Sequence, residues 1–549
     1  MNLREIRRVR PFAFWSLVLL ALGGTFSGCG DMQFGKPKKV VRKVSADPTN
    51  SKVAEQSKTK PVKKTDGKTA KIVAAEPIKL APSMEDKFMG RVGDLIRQNV
   101  EDGPTLVVWL IDRSESAVPL ADKVASGVPK ILQQDAIKES LAAEPDRLKM
   151  AIALFGQEVE YPLEEPSSDT AEIAKVLTKR APDASGKEMT FAAVAKVAEK
   201  YASYRSGGRQ LLLAVVTDEV GDDIDQLESA IAAAKKAHVQ VYVMGPPAPF
   251  GVANPLAIRG FMPSAQDAGK GDYSPSHGPE TPQSQLAPLA FWNSGYGAGD
   301  ALMIIDSGFG PWGLERLCRS TDGAYLALRP GDSDGGGGFI GSRWPTSAAM
   351  RYEQSVMSKY APEYNVTYEK YMQSIEGNKA KKALIATAKL DRSDALTAPQ
   401  MRFDQQNEAA MKNTLDRAQQ AAAKLEPVVD KIYQSLQSGE SDRTKLDSPR
   451  WKASYDLALG RACAANARIQ GYNAMLAALK RGKSFTKEGA KTWVLNPSDK
   501  VETGSAIKNM ADKGKKLLEG LVKDHPGTPW AALAEEELKT PLGWQWDEE

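Results

Sequence analysis

Residues Thr105–Ser116, TLVVWLIDRSES, constrain the fold more than any other stretch. Leu106, Val107, Val108, Trp109, Leu110 and Ile111 form an unbroken apolar run that stops at Asp112. The run has the length of a strand and no polar alternation. A strand of that kind is covered on both faces, which predicts a central place in a sheet between two helical layers. Directly after it, Asp112, Ser114 and Ser116 place a carboxylate and a pair of hydroxyls at the strand's C-terminal end. In open α/β sheets, ligands gather at that edge. Oxygen donors of this type suit Mg²⁺ or a similar hard cation, which takes octahedral oxygen coordination and keeps several waters.

The flanking sequence repeats the pattern. Ser83-Met84-Glu85-Asp86 has capping-box spacing, and Phe88, Val92, Leu95 and Ile96 then mark one helical face. Val124, Val128, Ile131 and Leu132 continue at helical spacing, with a kink expected at Pro129. Residues 147–155 read as a strand, and 158–161 as a short strand pairing back on it. Helices are expected over 170–178 and 191–204, a buried strand over 210–217, a helix over 224–237 and a strand over 238–244. Strands alternating with helices predict an α/β fold with a mostly parallel, doubly wound sheet.

With its strand, Asp112-Arg113-Ser114-Glu115-Ser116 resembles the Asp-x-Ser-x-Ser motif of the von Willebrand factor type A family, a Rossmann-like fold. In that family the motif forms a metal-ion-dependent adhesion site. The resemblance covers roughly residues 100–330 and includes the antiparallel hairpin strand. With Gly308-Phe309-Gly310 it also resembles a subset of bacterial envelope proteins that carry this domain. It implies that Ser114 and Ser116 bind the cation directly, while Asp112 and Asp218 act through water. The implied ion is Mg²⁺, with Mn²⁺ or Ca²⁺ as alternatives, and the implied partner is a protein.

The second metal loop of the family corresponds to 185–191, where Glu188 stands in the usual threonine slot and Thr190 lies two residues on. A third carboxylate leaves such a site net negative, and it is able to fill the position that a partner's carboxylate takes. Two like charges ~4 Å apart repel by roughly 4 kcal/mol at an effective dielectric near 20. The expectation is a site that retains metal and takes an acidic partner poorly. The alternative has Glu188 turned to solvent and a loop that binds little metal.

Outside this unit, composition sets the organisation. Arg4, Arg7, Arg8 and Arg10 precede an apolar run over 12–26 that falls short of the ~20 residues of a membrane-spanning helix. Phe26-Ser27-Gly28-Cys29 resembles a bacterial lipobox, so residues 1–29 read as a lipoprotein-type signal with Cys29 as the lipidated residue. A plain signal peptide is the alternative. Residues 30–82, rich in Lys, Ser, Thr and Pro, read as a basic disordered tether. The type A domain is expected over 83–332, with an inserted Pro/Gly/Ser-rich loop over 246–308 whose aromatics pin it to the domain. A Gly-rich linker over 333–347 and an all-α region over 348–549 follow. The end of that region, LLEGLVKDHPGTPWAALAEEEL, has a tetratricopeptide character, and Trp544-Gln545-Trp546 reads as a cap on the bundle.

The function classes narrow accordingly. Three scattered histidines argue against a His-ligated zinc site or a His base, and three cysteines against a disulfide scaffold. Cys318 and Cys463 sit on apolar helical stripes and read as buried thiols. The net charge of +4 is concentrated near the N-terminus, which does not favour nucleic acid as a partner of the folded part. No Gly-Lys-Ser/Thr phosphate loop appears, and no base is tied to the Asp/Ser cluster. The leading expectation is a non-enzymatic, lipid-anchored protein-binding module of the bacterial envelope, exported, with the helical region as a second docking surface. A metal-free scaffold is the alternative, and a metal-dependent hydrolase a weaker one.

Overall fold

The computed structural model describes residues 84–246, 249–252, 304–306, 308–327, 352–388, 399–405 and 407–549. The leader, Cys29, the tether, the Gly-rich linker and most of the expected inserted loop lie outside the described residues. Among the described residues no helix is long and apolar enough to cross a membrane.

Every residue of β1 (Thr105–Asp112) is buried. It is the third strand in a six-stranded sheet of order β3-β2-β1-β4-β5-β8. The others are β2 (Leu148–Phe155), β3 (Val159–Glu160), β4 (Gln210–Val216), β5 (Val239–Gly245) and β8 (Tyr325–Ala327). β1 runs parallel to β2 and β4, and β5 parallel to β4 and β8, while β3 pairs antiparallel with the end of β2. The strand period of two sorts the apolar run between two cores. Val107, Trp109 and Ile111 face α1 (Met84–Asp102) and α2 (Val118–Leu132), which continues through Pro129. Leu106, Val108 and Leu110 share the core of α5 (Thr190–Tyr201), α6 (Leu227–Lys236) and α7 (Trp312–Ser320). Two shorter helices, α3 (Asp135–Ala143) and α4 (Thr170–Thr178), complete the first layer. The fold is the expected mostly parallel, doubly covered sheet.

Chain after β5 passes into β6 (Pro249–Val252), which pairs antiparallel with β7 (Ile304–Asp306). This ribbon joins the two ends of the expected insertion.

The C-terminal part is helical, with α8 (Tyr368–Glu376), α9 (Lys379–Ala388), α10 (Glu408–Ser438), α11 (Pro449–Lys480), α12 (Ser505–Asp524) and α13 (Pro529–Leu538). α11 is buried along almost its whole length, with no polar face, and forms the centre of the region. Cys318 and Cys463 are both buried and free.

One detail departs from the all-α expectation. A three-stranded antiparallel sheet, order β11-β10-β9, is built from β9 (Arg402–Asp404), β10 (Thr492–Ser498) and β11 (Gly543–Glu548). Trp544-Gln545-Trp546 lies in β11 and is paired with β10. The Trp-Gln-Trp alternation is the period of a half-buried strand. Trp544 packs edge-on against Tyr472, and Trp546 against Phe403 and Trp493.

Candidate metal centre

Parallel pairing brings the C-terminal ends of β1 and β4 side by side, with Ile111 opposite Val216. The loop after each strand therefore starts on the same rim. Asp112, 1% exposed, accepts the Ser114 amide at 2.7 Å through Oδ1 and the Thr217 hydroxyl at 2.8 Å through Oδ2. Ser114 Oγ lies 3.2 Å from Ser116 Oγ, and Ser116 donates to Asp218 Oδ1 in a long 3.4 Å contact. Asp112, Ser114, Ser116 and Asp218, remote along the chain, thus meet in one hydrogen-bonded cluster.

The second loop is sewn to both others by backbone bonds. Asp183 donates its amide to Arg113 O at 2.9 Å, and its carboxylate accepts the Gln157 and Ser185 amides. Glu188 donates its amide to Asp222 Oδ2 at 3.0 Å, while its carbonyl accepts the Asp222 amide at 2.8 Å. Asp223 caps α5 from the third loop by accepting the Phe191 and Ala192 amides. Arg113 turns inward, its guanidinium 3.0 Å from Glu160 of the hairpin. Thr190 is fully buried at the start of α5, with its hydroxyl toward Gly221 of the third loop.

The electrostatics follow from crowding. Burial, and then the charge of Asp112, push the Asp218 carboxyl up to about 8. Asp218 keeps part of its surface in solvent, but its carboxyl is hemmed in by protein. Burial also raises Glu188, helped by the charges of Asp112, Glu219, Asp218 and Asp222. Asp112 is raised by burial against the pull of its Ser114 and Thr217 hydrogen bonds. Carboxylates in this state either hold protons or require a compensating cation.

Two atoms test whether the residues suit a cation. Glu188 Oε2 and Thr190 Oγ1 are both buried without a hydrogen-bond partner. A buried oxygen left this way costs about 1–3 kcal/mol, which a hard cation or its water would offset. Among the described residues no three His, Cys, Asp or Glu side chains close as a metal site by themselves. An ion here would have to draw on the serine hydroxyls and on water as well as on carboxylates. The donor set, all oxygen and mostly hydroxyl and carboxylate, fits a Mg²⁺-type ion.

Comparison with known proteins agrees with the topology. Residues 107–257 match the family model of the von Willebrand factor type A domain. This part of the chain is a type A domain. Modules of this family mediate protein–protein interaction, often through a metal-ion-dependent adhesion site. No curated protein matches the chain. Among solved structures, the chain is similar to the crystal structure of an aerotolerance-related membrane protein from Bacteroides fragilis NCTC 9343 with multiple mutations to serines. That likeness has 13% identity and a TM-score of 0.24, and covers 41% of this chain and 91% of the other.

Within the type A domain, the structure adds residues that sequence reasoning did not single out. Thr217 orients Asp112, Asp222 grips Glu188, Asp223 caps α5 and Arg113 braces the hairpin. Each is polar and close to a metal loop in sequence, but its partner lies in a different loop. No local pattern announces that pairing.

Proposed function

We propose that the chain is a non-enzymatic, exported, lipid-anchored protein-binding module of the bacterial cell envelope. Its type A domain holds a Mg²⁺-type cation at Asp112, Ser114, Ser116 and Asp218, with Glu188 and Thr190 beside them. The reading rests chiefly on the hydrogen-bonded path from Asp112 and Ser114 through Ser116 to Asp218, which joins the ends of two neighbouring strands at the ligand-binding edge. The ion orders the three loops that face a partner. The helical region, with its tetratricopeptide-like last pair α12 and α13, offers a second docking surface. Cys29 carries the lipid, residues 30–82 form the tether, and 83–332, 333–347 and 348–549 are the domain, linker and helical region.

Pull-down from membranes with and without EDTA tests the metal-dependent part. The expected result is a prey recovered by wild type and lost with EDTA or Asp112→Ala. Equal recovery in all three conditions would sink metal dependence. Labelling with a palmitate analogue tests the anchor: wild type should be marked and Cys29→Ser should not.

One observation favours a metal-free scaffold as second reading. The sheet and the helical region share a continuous hydrophobic core, as a rigid spacer would require. Under that reading Asp112→Ala leaves prey capture intact.

A further inference from the structure

Glu188 is the candidate ligand on the second loop that the serine motif does not explain. Its backbone is held from both sides by Asp222, so the residue cannot drift from the third loop. Its carboxyl oxygen Oε2 is buried and finds no donor. A second oxygen independently points the same way: Thr190 is fully buried, and its Oγ1 has no partner beside Gly221.

Counting charges on the three loops decides what a bound ion leaves behind. Over 112–116, 183–190 and 217–223 the sequence places eight carboxylates against two cations. One of those cations, Arg113, is turned inward to Glu160 and is only 11% exposed. Lys187 is exposed on the second loop, but so are Glu115 on the first and Glu219 and Asp222 on the third. A divalent ion therefore leaves the rim negative.

We propose that Glu188 is the specificity-determining residue of the rim: it ligates the cation from within the chain and, by doing so, excludes a carboxylate from the partner. This inference rests on the metal reading above and adds the ligand and the partner's charge. The ion is held by this chain's own oxygens and orders the loops. The partner contacts the loops around the ion without offering it a carboxylate. Like charges brought together at a partly desolvated rim cost more than the same pair in water, so exclusion follows from placing a third carboxylate there.

The test uses the full-length chain and two probes, Mn²⁺ alone by isothermal titration and a fluorescent Glu-rich decapeptide by anisotropy in saturating Mn²⁺. Wild type is expected to take up Mn²⁺ and to ignore the acidic peptide. Glu188→Gln, the same shape without charge, should weaken Mn²⁺ by about tenfold or more, because ligand charge count sets affinity at oxygen sites. Glu188→Thr should gain binding of the acidic peptide, and Asp112→Ala should lose Mn²⁺. Matching thermal unfolding of each free variant confirms that it is folded. Unchanged Mn²⁺ affinity in Glu188→Gln, with Asp112→Ala inactive, overturns the in-chain ligand while leaving the metal site standing. An acidic peptide bound equally well, or equally poorly, by wild type and Glu188→Thr overturns the exclusion. No Mn²⁺ uptake by wild type brings down the metal reading and this inference together.

Discussion

Gly221 shows how tightly single residues are constrained at the rim. Its φ is +91°, and a Cβ there would lie 2.4 Å from Thr190 Oγ1 and 3.0 Å from Glu188 O. Gly221→Ala therefore combines left-handed strain with a clash against the second loop, and should cost about 1–3 kcal/mol in urea unfolding. Gly90, in the middle of α1 with nothing near its missing Cβ, is the opposite case. Gly90→Ala should stabilise by about 0.5–1 kcal/mol through helix propensity alone. Far from the rim, Glu537 is fully enclosed between Arg468 and Arg461, the latter at 3.1 Å. Burial works to raise its carboxyl, but the two arginines outweigh burial and hold it below the usual glutamate range. A lowered native value means that stability is fully present above the unfolded value near pH ~4.3 and is lost as pH falls through the native value. Glu537→Gln should remove that acid dependence and cost about 3–5 kcal/mol at neutral pH, because it leaves buried arginine charge uncompensated. Urea midpoints of both proteins across the acid range check the slope and the offset together. At this scale Asp112, Ser114 and Ser116 were legible because an apolar strand ending in polar residues marks a sheet edge. Asp218 was legible for the same reason, after QLLLAVVT. Asp222 and Asp223 were not, since their partners are backbone amides of another loop.

Among the elements, the strands were the easiest to read. β1, β4 and β5 are apolar on both faces, and only a central parallel strand uses such a run well. β9 and β11 are short, and the two tryptophans of β11 look as natural on a helical bundle as in a sheet. Their pairing with β10 depends on chain brought from far along the sequence. The helix α7 carries more than a crossover needs. Trp312 is fully buried and stacks on Tyr371 of α8, ring centres 4.6 Å apart. Gly313 approaches Phe191 at the end of the second metal loop, Val220 within the third and Ile224 just after it. One helix thus touches both the rim's supports and the helical region. Trp312→Ala should cost about 3–5 kcal/mol, as expected for truncating a fully buried aromatic. Chemical denaturation followed by Trp fluorescence and by circular dichroism would measure it with two probes.

For the whole molecule, the two parts that the sequence presents as separate are joined by more than contact. One continuous core runs from Leu106, Val108 and Leu110 of the sheet through Phe309, Trp312 and Tyr371 to Trp451, Trp493 and Trp530 of the helical region. A polar clamp lies over it. Arg316, its side chain 8% exposed, holds both oxygens of Glu228 at 2.7 Å and donates to Tyr364 O at 2.8 Å. Glu228 in turn accepts the Tyr368 amide at 2.9 Å, so the pair ties α6, α7 and α8 at one point. Composition could not reveal this, because a glycine-rich stretch between two patterns reads as a hinge whatever its flanks do in space. Domains that share a core unfold together, whereas domains joined by a linker with a small polar interface unfold independently. Calorimetry of the wild type should therefore give one transition for the sheet and the helical region. Arg316→Ala should lower or split it, since removing the cation leaves the partly buried Glu228 carboxylate and the Tyr364 carbonyl short of a donor, at about 1–3 kcal/mol. Glu228 is more than a third exposed on its side chain, so water recovers part of that loss and keeps the effect below that of a fully buried pair. Two well-separated transitions already present in the wild type would mean that the shared core does not couple the halves. In that case a partner docked on the helices could not feel the rim.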